Sequence, residues 1–205
     1  MRLTPTLITS ILLFVLCSCN TSKDKNYTRD YPPKSEDGSI NVVVEIPAGT
    51  NEKWELDKQS GQIKQDTLDG KPRVIDYLPY PANYGFIPWT LLTKESGGDG
   101  DPLDVIVIGP AIERGSVVEC NLIGVLYLLD SGEQDYKLIA VSPESLLFDV
   151  DDIEDLYKEY PGVTDILKTW FTSYKGRGIA ISKGFGNKKE ALGILDKAIE
   201  SYKNL

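Results

Sequence analysis

The chain changes its hydrophobic period once, near residue 142, and this change limits the fold to a sheet followed by helices. Before residue 142, short runs rich in Val, Ile, Leu and Tyr are separated by Gly, Pro, Asn and Asp. This pattern predicts strands over residues 41–46, 53–57, 73–78, 103–108, 117–129 and 136–141. Because no helical pattern separates these runs, we predict an antiparallel meander that closes into a five-stranded, OB-like β-barrel.

After residue 142, apolar residues recur three and four positions apart, which is the period of an amphipathic helix. The pattern predicts helices over residues 151–158, 164–175 and 188–203. The last helix has a regular apolar face that includes Ala191, Leu195 and Ala198. The predicted class is therefore α+β, with a closed antiparallel barrel flanked by C-terminal helices.

The N-terminus has the parts of a secretory signal. Arg2 precedes a mostly apolar stretch over residues 7–16, and small residues follow, which predicts a signal peptide over 1–18. Residues 16–19 also resemble the lipobox of bacterial lipoproteins, which implies cleavage before Cys19 and a lipid on its thiol. We therefore expect an exported protein that is anchored by this lipid to a bacterial membrane, on the periplasmic or cell-surface side.

Residues 19–39 are polar and charged, and they include Pro32 and Pro33. This composition predicts a lipidated cysteine followed by a flexible tether, and residues 40–205 then form one folded domain. The formal net charge of −9, with no clustered basic stretch, argues against a nucleic-acid partner, because binding to a phosphate backbone needs massed Lys and Arg. Cys120 lies in an apolar run, which favours a buried small hydrophobe over a nucleophile.

Two acidic turns are the strongest chemical signal in the sequence. Residues 99–104 place Asp99, Asp101 and Asp104 around a Gly and a Pro, directly before an apolar strand. Carboxylate oxygens at this spacing suit Mg²⁺, although an acidic turn can also simply cap a strand. A second cluster holds Asp130 and Asp135 at a predicted hairpin, where the two turns could meet on one rim of the barrel.

Other charged and aromatic residues could complete a phosphate site. Glu45 and Glu55 lie within predicted strands and either face solvent or line the barrel interior. Arg can bind phosphate oxygens in a fork, while Lys offers a point charge. The groups that could face a phosphate are Lys53, Arg73, Lys137 and Lys175, with Tyr80, Tyr84 and Tyr174.

Six motifs, in sequence order, resemble those of the family I soluble inorganic pyrophosphatases. They lie at residues 44–47, 53–57, 80–86, 99–104, 130–137 and 174–175. The resemblance implies an inorganic diphosphatase that hydrolyses pyrophosphate to two orthophosphates with several Mg²⁺ ions per site, or with Mn²⁺ or another divalent ion. Metal-activated water would attack phosphorus directly, and Asp101 would be the general base.

The resemblance also implies roles for the other residues. Asp99, Asp104 and Asp135 would bind Mg²⁺ directly, with Asp104 bridging two ions, and Asp130 would bind a further ion. The expected substrate ligands are Lys53, Arg73, Tyr84, Lys137, Tyr174 and Lys175. The residues expected to support the network of metals and waters are Glu45, Glu55 and Tyr80.

We expect a homo-oligomer, but the chain has no His. Thr169 and Ser173 stand where some bacterial members carry His in subunit contacts, so no particular assembly follows. Two other functions fit the same residues. One is a noncatalytic surface lipoprotein that captures divalent cations or polyphosphate, and the other is a phosphohydrolase that acts on nucleotides.

Overall fold

The computed structural model describes residues 25–205. Its strands are β1 (Ile40–Ile46), β2 (Trp54–Asp57), β3 (Gln62–Gln65), β4 (Thr67–Leu68), β5 (Lys71–Pro72), β6 (Asn83–Phe86), β7 (Asp104–Ile108), β8 (Val117–Asp130), β9 (Glu133–Gln134), β10 (Lys137–Val141) and β11 (Ala180–Asn187). Its α-helices are α1 (Ile153–Glu159), α2 (Val163–Ser173) and α3 (Lys188–Lys203). The predicted C-terminal helices are therefore confirmed, with small shifts at their ends.

The main sheet has the strand order β1-β6-β7-β10-β8-β11, and β9 pairs with β8. β1 also pairs with β8, so the pairings of β1, β6, β7, β10 and β8 form a ring. β10 runs parallel to β7. The sheet is therefore mixed, and the prediction of a purely antiparallel sheet is wrong. β10 lies between β7 and β8 and pairs antiparallel with β8. Because β8 runs opposite to β7, β10 runs in the same direction as β7.

The strand predicted over residues 73–78 is also wrong. In the described part of the chain, this segment contributes one isolated bridge, between Val74 and Glu52. Val74 and Leu78 are exposed, while Ile75 is buried in a core cluster, so the apolar residues that suggested a strand pack without a strand ladder. Conversely, the sequence did not indicate β11, because Gly184 and Gly186 interrupt its apolar pattern.

Alternate residues of the main strands pack into two separate cores. In β7, Ile106 and Ile108 enter one cluster, while Val105 and Val107 enter the other. We call the first the aromatic core, because its members include Tyr80, Tyr84, Trp170 and Phe171 together with residues of α1 and α2. We call the second the aliphatic core, and α3 covers it with Ala191, Leu195 and Ala198. The two-residue period of strands thus divides one sheet between two kinds of packing.

Residues 25–34, which we call the N-terminal clasp, lie against the domain. Tyr27 is 9% exposed and its hydroxyl donates to the carbonyl of Gly115 at 3.0 Å. Lys34 pairs with Asp196 at 2.7 Å and forms a bridge with Ile40. The tether over residues 19–39 stays a prediction, although Tyr27 and Lys34 contact the domain within its described part.

The predicted signal peptide and Cys19 lie outside the described residues. Among residues 25–205, no helix combines the length and the hydrophobicity that spanning a bilayer requires.

Candidate active site

One cavity of about 280 Å³ collects the predicted site residues. Thirteen of the fourteen line it, and the exception is Tyr80, which is buried directly behind Tyr84. The lining residues are Glu45, Lys53, Glu55, Leu56, Lys58, Arg73, Tyr84, Phe86, Asp99, Asp101, Pro102, Asp104, Asp130, Asp135, Lys137, Tyr174 and Lys175. Residues that are distant in sequence therefore meet at one place, while their individual roles remain predictions.

The acidic turn over residues 99–104 is shaped by local backbone bonds. Gly100 has φ of +85°, a left-handed conformation that glycine adopts without strain. The amide of Asp101 donates to Oδ1 of Asp99 at 2.9 Å, and Leu92 exchanges backbone bonds with Gly100 and Asp101. The turn thus presents its carboxylates at the cavity immediately before β7 begins at Asp104.

Lys137 lies between two of the predicted metal ligands. The parallel register of β10 and β7 places it beside Asp104. Its ammonium contacts the Asp104 carboxylate and lies 2.5 Å from Oδ1 of Asp135. Burial alone would lower the pKa of Lys137, but these two carboxylates outweigh burial and raise the pKa above its ordinary value. Lys137 therefore stays charged and holds the two acidic groups together.

Glu45 is buried at the inner end of the cavity. It is 4% exposed, and its Oε1 accepts a bond from the Leu56 amide at 2.7 Å. Burial raises the pKa of Glu45 to about 8, although Lys53 opposes this shift. The alternative in which Glu45 faces solvent is therefore wrong. Glu55, in contrast, is half-exposed and lies 3.4 Å from the Lys53 ammonium.

Aromatic side chains form one wall of the cavity. The Lys53 and Lys137 ammonium groups each lie 5.6 Å from the centre of the Tyr84 ring. Burial raises the pKa of both Tyr80 and Tyr84 above the ordinary value, so their phenols remain protonated. The Tyr174 ring stacks on Trp170 with centroids 4.6 Å apart. The aromatic core therefore extends to the edge of the site.

Two further basic groups are held by carboxylates at the mouth of the cavity. Nη1 of Arg73 lies 2.8 Å from Oδ2 of Asp66, and this hydrogen bond raises the pKa of Arg73 against the effect of burial. The ammonium of Lys175 contacts Asp130. Burial lowers the pKa of Lys175, but the hydrogen bond to Asp130 and the electrostatic effects of Tyr174, Asp130 and Asp135 together raise it above its ordinary value.

Lys58 is the cavity residue that sequence reasoning missed. Its ammonium contacts the carboxylate of Asp101, the predicted general base, and lies 3.3 Å from the carbonyl of Gly100. Lys58 directly follows the motif at residues 53–57. A charged residue immediately after a recognised motif was therefore the sequence signal that could have identified Lys58 as a site residue.

The donor set of the cavity fits a hard divalent ion. Seven carboxylates line it against five basic side chains, and carboxylate oxygens are the ligands that Mg²⁺ prefers. Within residues 25–205, no three acidic, His or Cys side chains are grouped closely enough to hold an ion as they stand. Lys58, Lys137 and Lys175 lie against carboxylates of the cavity. An ion bound here would have to replace such lysine contacts.

Comparison with known proteins shows the family of this chain. The family model for inorganic pyrophosphatase matches residues 42–203. An inorganic pyrophosphatase from Campylobacter jejuni is 39% identical over 170 residues, which are 80% of this chain and 92% of that protein. Two solved structures of inorganic pyrophosphatases also superimpose on the fold. The Helicobacter pylori enzyme has a TM-score of 0.69 and 38% identity, with 85% of this chain and 99% of that chain covered.

The Thermus thermophilus enzyme has a TM-score of 0.73 and 32% identity, with 87% of this chain and 99% of that chain covered. A mixed sheet with C-terminal helices is thus shared with inorganic pyrophosphatases. The chain belongs to the inorganic pyrophosphatase family. The predicted enzyme class, an inorganic diphosphatase, is confirmed.

Proposed function

We propose that this chain hydrolyses inorganic pyrophosphate to two orthophosphates by direct attack of water, in a reaction that requires Mg²⁺. The observation that carries the proposal is the single cavity in which the acidic turns meet five basic side chains. Carboxylates alone would repel an anionic substrate, and basic groups alone would only bind it. The combination is what metal-assisted phosphoryl transfer requires.

The size and polarity of the cavity favour a small inorganic anion. Its volume of about 280 Å³ lies just below the range for ligand sites, about 300–1,000 Å³. Charged groups surround it, and the basic side chains approach from different elements, with Lys53 before β2, Lys137 on β10 and Lys175 after α2. Two phosphoryl groups fit this arrangement better than a nucleoside triphosphate does.

The roles of the side chains follow from their chemistry. Asp101 would accept the proton of the attacking water, and Lys58 holds its carboxylate at the cavity. Asp99, Asp104, Asp130 and Asp135 would hold Mg²⁺, which when bound lowers the pKa of water and neutralises phosphate charge. Arg73 and the lysines would stabilise the charge that develops on the leaving phosphate, because they are fixed before the reaction.

A phosphate-release assay on the purified protein tests this function. We expect release from pyrophosphate with added Mg²⁺, none in excess chelator, and recovery when Mg²⁺ is restored. ATP and tripolyphosphate serve as parallel substrates. Faster release from ATP would support the nucleotide hydrolase instead. Binding of Mg²⁺ or polyphosphate without any release would support the noncatalytic lipoprotein.

We further propose that Cys19 carries a lipid that anchors the protein to the outside of a bacterial membrane, and that the protein forms a homo-oligomer. The lipobox-like residues 16–19 support the anchor. Expression of the natural gene and of Cys19→Ser, followed by membrane fractionation, tests it. We expect only the natural chain in the membrane fraction, and equal distribution would refute the anchor. Light scattering on the Cys19→Ser protein measures the oligomer, and a monomeric mass would refute that proposal.

A further inference from the structure

The β2–β3 hairpin carries charged groups of the cavity but is weakly attached to the rest of the fold. Lys53, Glu55 and Lys58 lie on or beside it. Within residues 25–205, β2 and β3 form a separate two-stranded sheet with no ladder to the main sheet. A two-stranded hairpin is marginally stable alone. The positions of these charges therefore depend on what packs against the hairpin.

The near end of the hairpin is held by the domain. The amide of Lys53 donates to the carbonyl of Arg73 at 3.0 Å, and the amide of Leu56 donates to Glu45. The turn over residues 58–61 projects beyond these bonds. It needs a second attachment if Lys58 is to remain beside the acidic turn.

The N-terminal clasp supplies that attachment. The amide of Tyr27 donates to the carbonyl of Gly61 at 2.9 Å. The side-chain amide of Asn26 donates to the carbonyl of Ser60 at 3.4 Å, and the side chain of Gln62 donates to the carbonyl of Lys25. Three consecutive residues of the clasp therefore bind three consecutive residues at the tip of the hairpin.

The clasp also packs beneath the cavity. Tyr27 forms a buried cluster with Val43 and Phe86, and the cross-strand pair Leu56 and Ile63 packs on this cluster. Leu56 and Phe86 line the cavity as well. The ring of Tyr27 thus supports residues that contact the site, although Tyr27 itself does not reach it.

Two glycines mark where the clasp approaches the domain most closely. Gly61 and Gly115 have φ of +69° and +80°. A Cβ on Gly61 would overlap the Asn26 side chain, and a Cβ on Gly115 would lie 2.7 Å from the Tyr27 hydroxyl. Both contact points therefore leave no room for a side chain.

The other side of the clasp is fixed to α3. The hydroxyl of Tyr202 donates to the carbonyl of Thr28 at 2.9 Å, and Lys34 pairs with Asp196. The clasp thus connects the tip of the hairpin to the last helix of the fold, which is itself anchored in the aliphatic core.

We propose that the N-terminal clasp positions the β2–β3 hairpin for substrate binding, with Tyr27 as the positioning residue. This inference rests on the proposed function. The Tyr27 ring holds the clasp in place, and the backbone amide of the same residue binds Gly61. Without the ring, the clasp and the hairpin tip that it binds would move more freely, and Lys53 and Lys58 would spend less time at the cavity. Misplacement of binding groups weakens the reaction without any change in the groups themselves.

The test compares Tyr27→Ala, Tyr27→Phe and Leu195→Ala in the full chain. Leu195 is a buried residue of α3 outside both the cavity and the clasp, so its variant controls for general destabilisation. At a temperature where circular dichroism shows each variant folded, we expect Tyr27→Ala to raise KM for pyrophosphate and to lower kcat/KM at least about fivefold. Tyr27→Phe keeps the ring, and we expect it, like Leu195→Ala, to stay within about twofold of the natural chain.

Hydrogen exchange provides a readout that needs no turnover. The amide of Gly61 donates to the carbonyl of Asp57 at 2.8 Å inside the hairpin turn. We expect this amide to exchange faster in Tyr27→Ala than in the natural chain or in Leu195→Ala. If the natural chain does not hydrolyse pyrophosphate, the proposed function fails, while exchange still tests the attachment of the hairpin.

An unchanged kcat/KM in folded Tyr27→Ala would overturn the positioning role, whether or not the Gly61 amide exchanges faster. An equal loss of kcat/KM in Leu195→Ala would also overturn it, because the effect would then follow stability. If Tyr27→Ala does not fold, Asn26→Ala takes its place. The Asn26 side chain is partly exposed, and its removal deletes the hydrogen bond to the carbonyl of Ser60 at the hairpin tip. An unchanged kcat/KM in this variant, or an equal loss in Leu195→Ala, would again overturn the positioning role.

Discussion

The two cores of this protein are built from alternate residues of the same strands, yet only one of them reaches the site. The aromatic core contributes Tyr84 and Tyr174 to the cavity wall. The aliphatic core consists of branched side chains, Ala and Cys120 covered by α3, with Tyr127 and Tyr136 at its margin. The comparison teaches that one core positions polar groups while the other mainly stabilises the sheet.

The largest expected effect separates stability from catalysis. Leu195 is fully buried in the aliphatic core, and Leu195→Ala should lower the free energy of unfolding by about 2–5 kcal/mol because it leaves a cavity. The value of kcat/KM at 25 °C should change little. Urea unfolding and pyrophosphate kinetics on the same preparation measure both. A large loss of kcat/KM in fully folded protein would contradict the view that the aliphatic core mainly stabilises the sheet.

Asp101→Asn should have the opposite signature. The change removes a carboxylate that would accept a proton, so we expect kcat to fall at least about 100-fold. The half-exposed side chain of Asp101 predicts a small change in unfolding free energy. Steady-state kinetics with saturating Mg²⁺ measures kcat. Turnover within a few fold of the natural chain would exclude Asp101 as the general base.

Trp170 tests how the aromatic core supports the cavity. It stacks on Tyr174 and lies 4.3 Å from the Tyr80 ring, and its indole N–H donates to the carbonyl of Leu78 at 2.9 Å. We expect Trp170→Leu to raise KM for pyrophosphate about tenfold, because Tyr174 and the adjacent Lys175 lose their support. Trp170→Phe keeps an aromatic ring and should recover most of this loss. Equal KM values in both variants would contradict the role of stacking.

Titration of Glu45 should give a smaller effect, a change of the free energy of unfolding with pH whose direction follows from its pKa. Burial raises its pKa from 4.5 to about 8, so between these values the folded chain keeps a proton that the unfolded chain loses. This group therefore makes the free energy of unfolding fall as pH rises from 4.5 to about 8, and its contribution then levels off. Urea unfolding across this range in chelator should show a shallower fall in Glu45→Gln. Identical slopes in the two proteins would refute the raised pKa.

Cys120 gives the smallest functional effect and reports on the aliphatic core. It is fully buried, and burial raises the pKa of its thiol to about 12. We therefore expect alkylation at pH 8 to be at least about 100-fold slower in the folded protein than in urea, because the thiolate is the reactive form. Mass spectrometry can quantify the modification at this cysteine. Rapid modification of the folded protein would show that the aliphatic core opens readily.

Local patterns predicted the C-terminal helices, and the family resemblance indicated residues that line one cavity, although the roles of those residues stay predictions. The apolar period of α3 and the motif residues around Asp104 are readable within a few positions. The register and the order of the strands depend on contacts between residues that are distant in sequence. Whether β10 joins β7 in parallel depends on the length and direction of β8, which no short window contains.

Three particular errors have physical causes. The apolar residues Val74 and Leu78 resembled a strand, but among residues 25–205 their segment pairs only through the isolated bridge between Val74 and Glu52. Glycines concealed β11, which gains its stability by pairing along β8. Lys58 was missed because its role depends on a contact with Asp101 across 43 positions of sequence, and only the folded chain brings them together.

The N-terminal clasp has a practical consequence for recombinant protein. The family match begins at residue 42, so an expression clone that starts at this boundary would omit Tyr27 and every clasp contact described above. The packed part of the chain therefore begins ahead of the family match. A preparation trimmed to the homologous segment would lack these contacts, and affinity tags are better placed ahead of Lys25 or after the C-terminus.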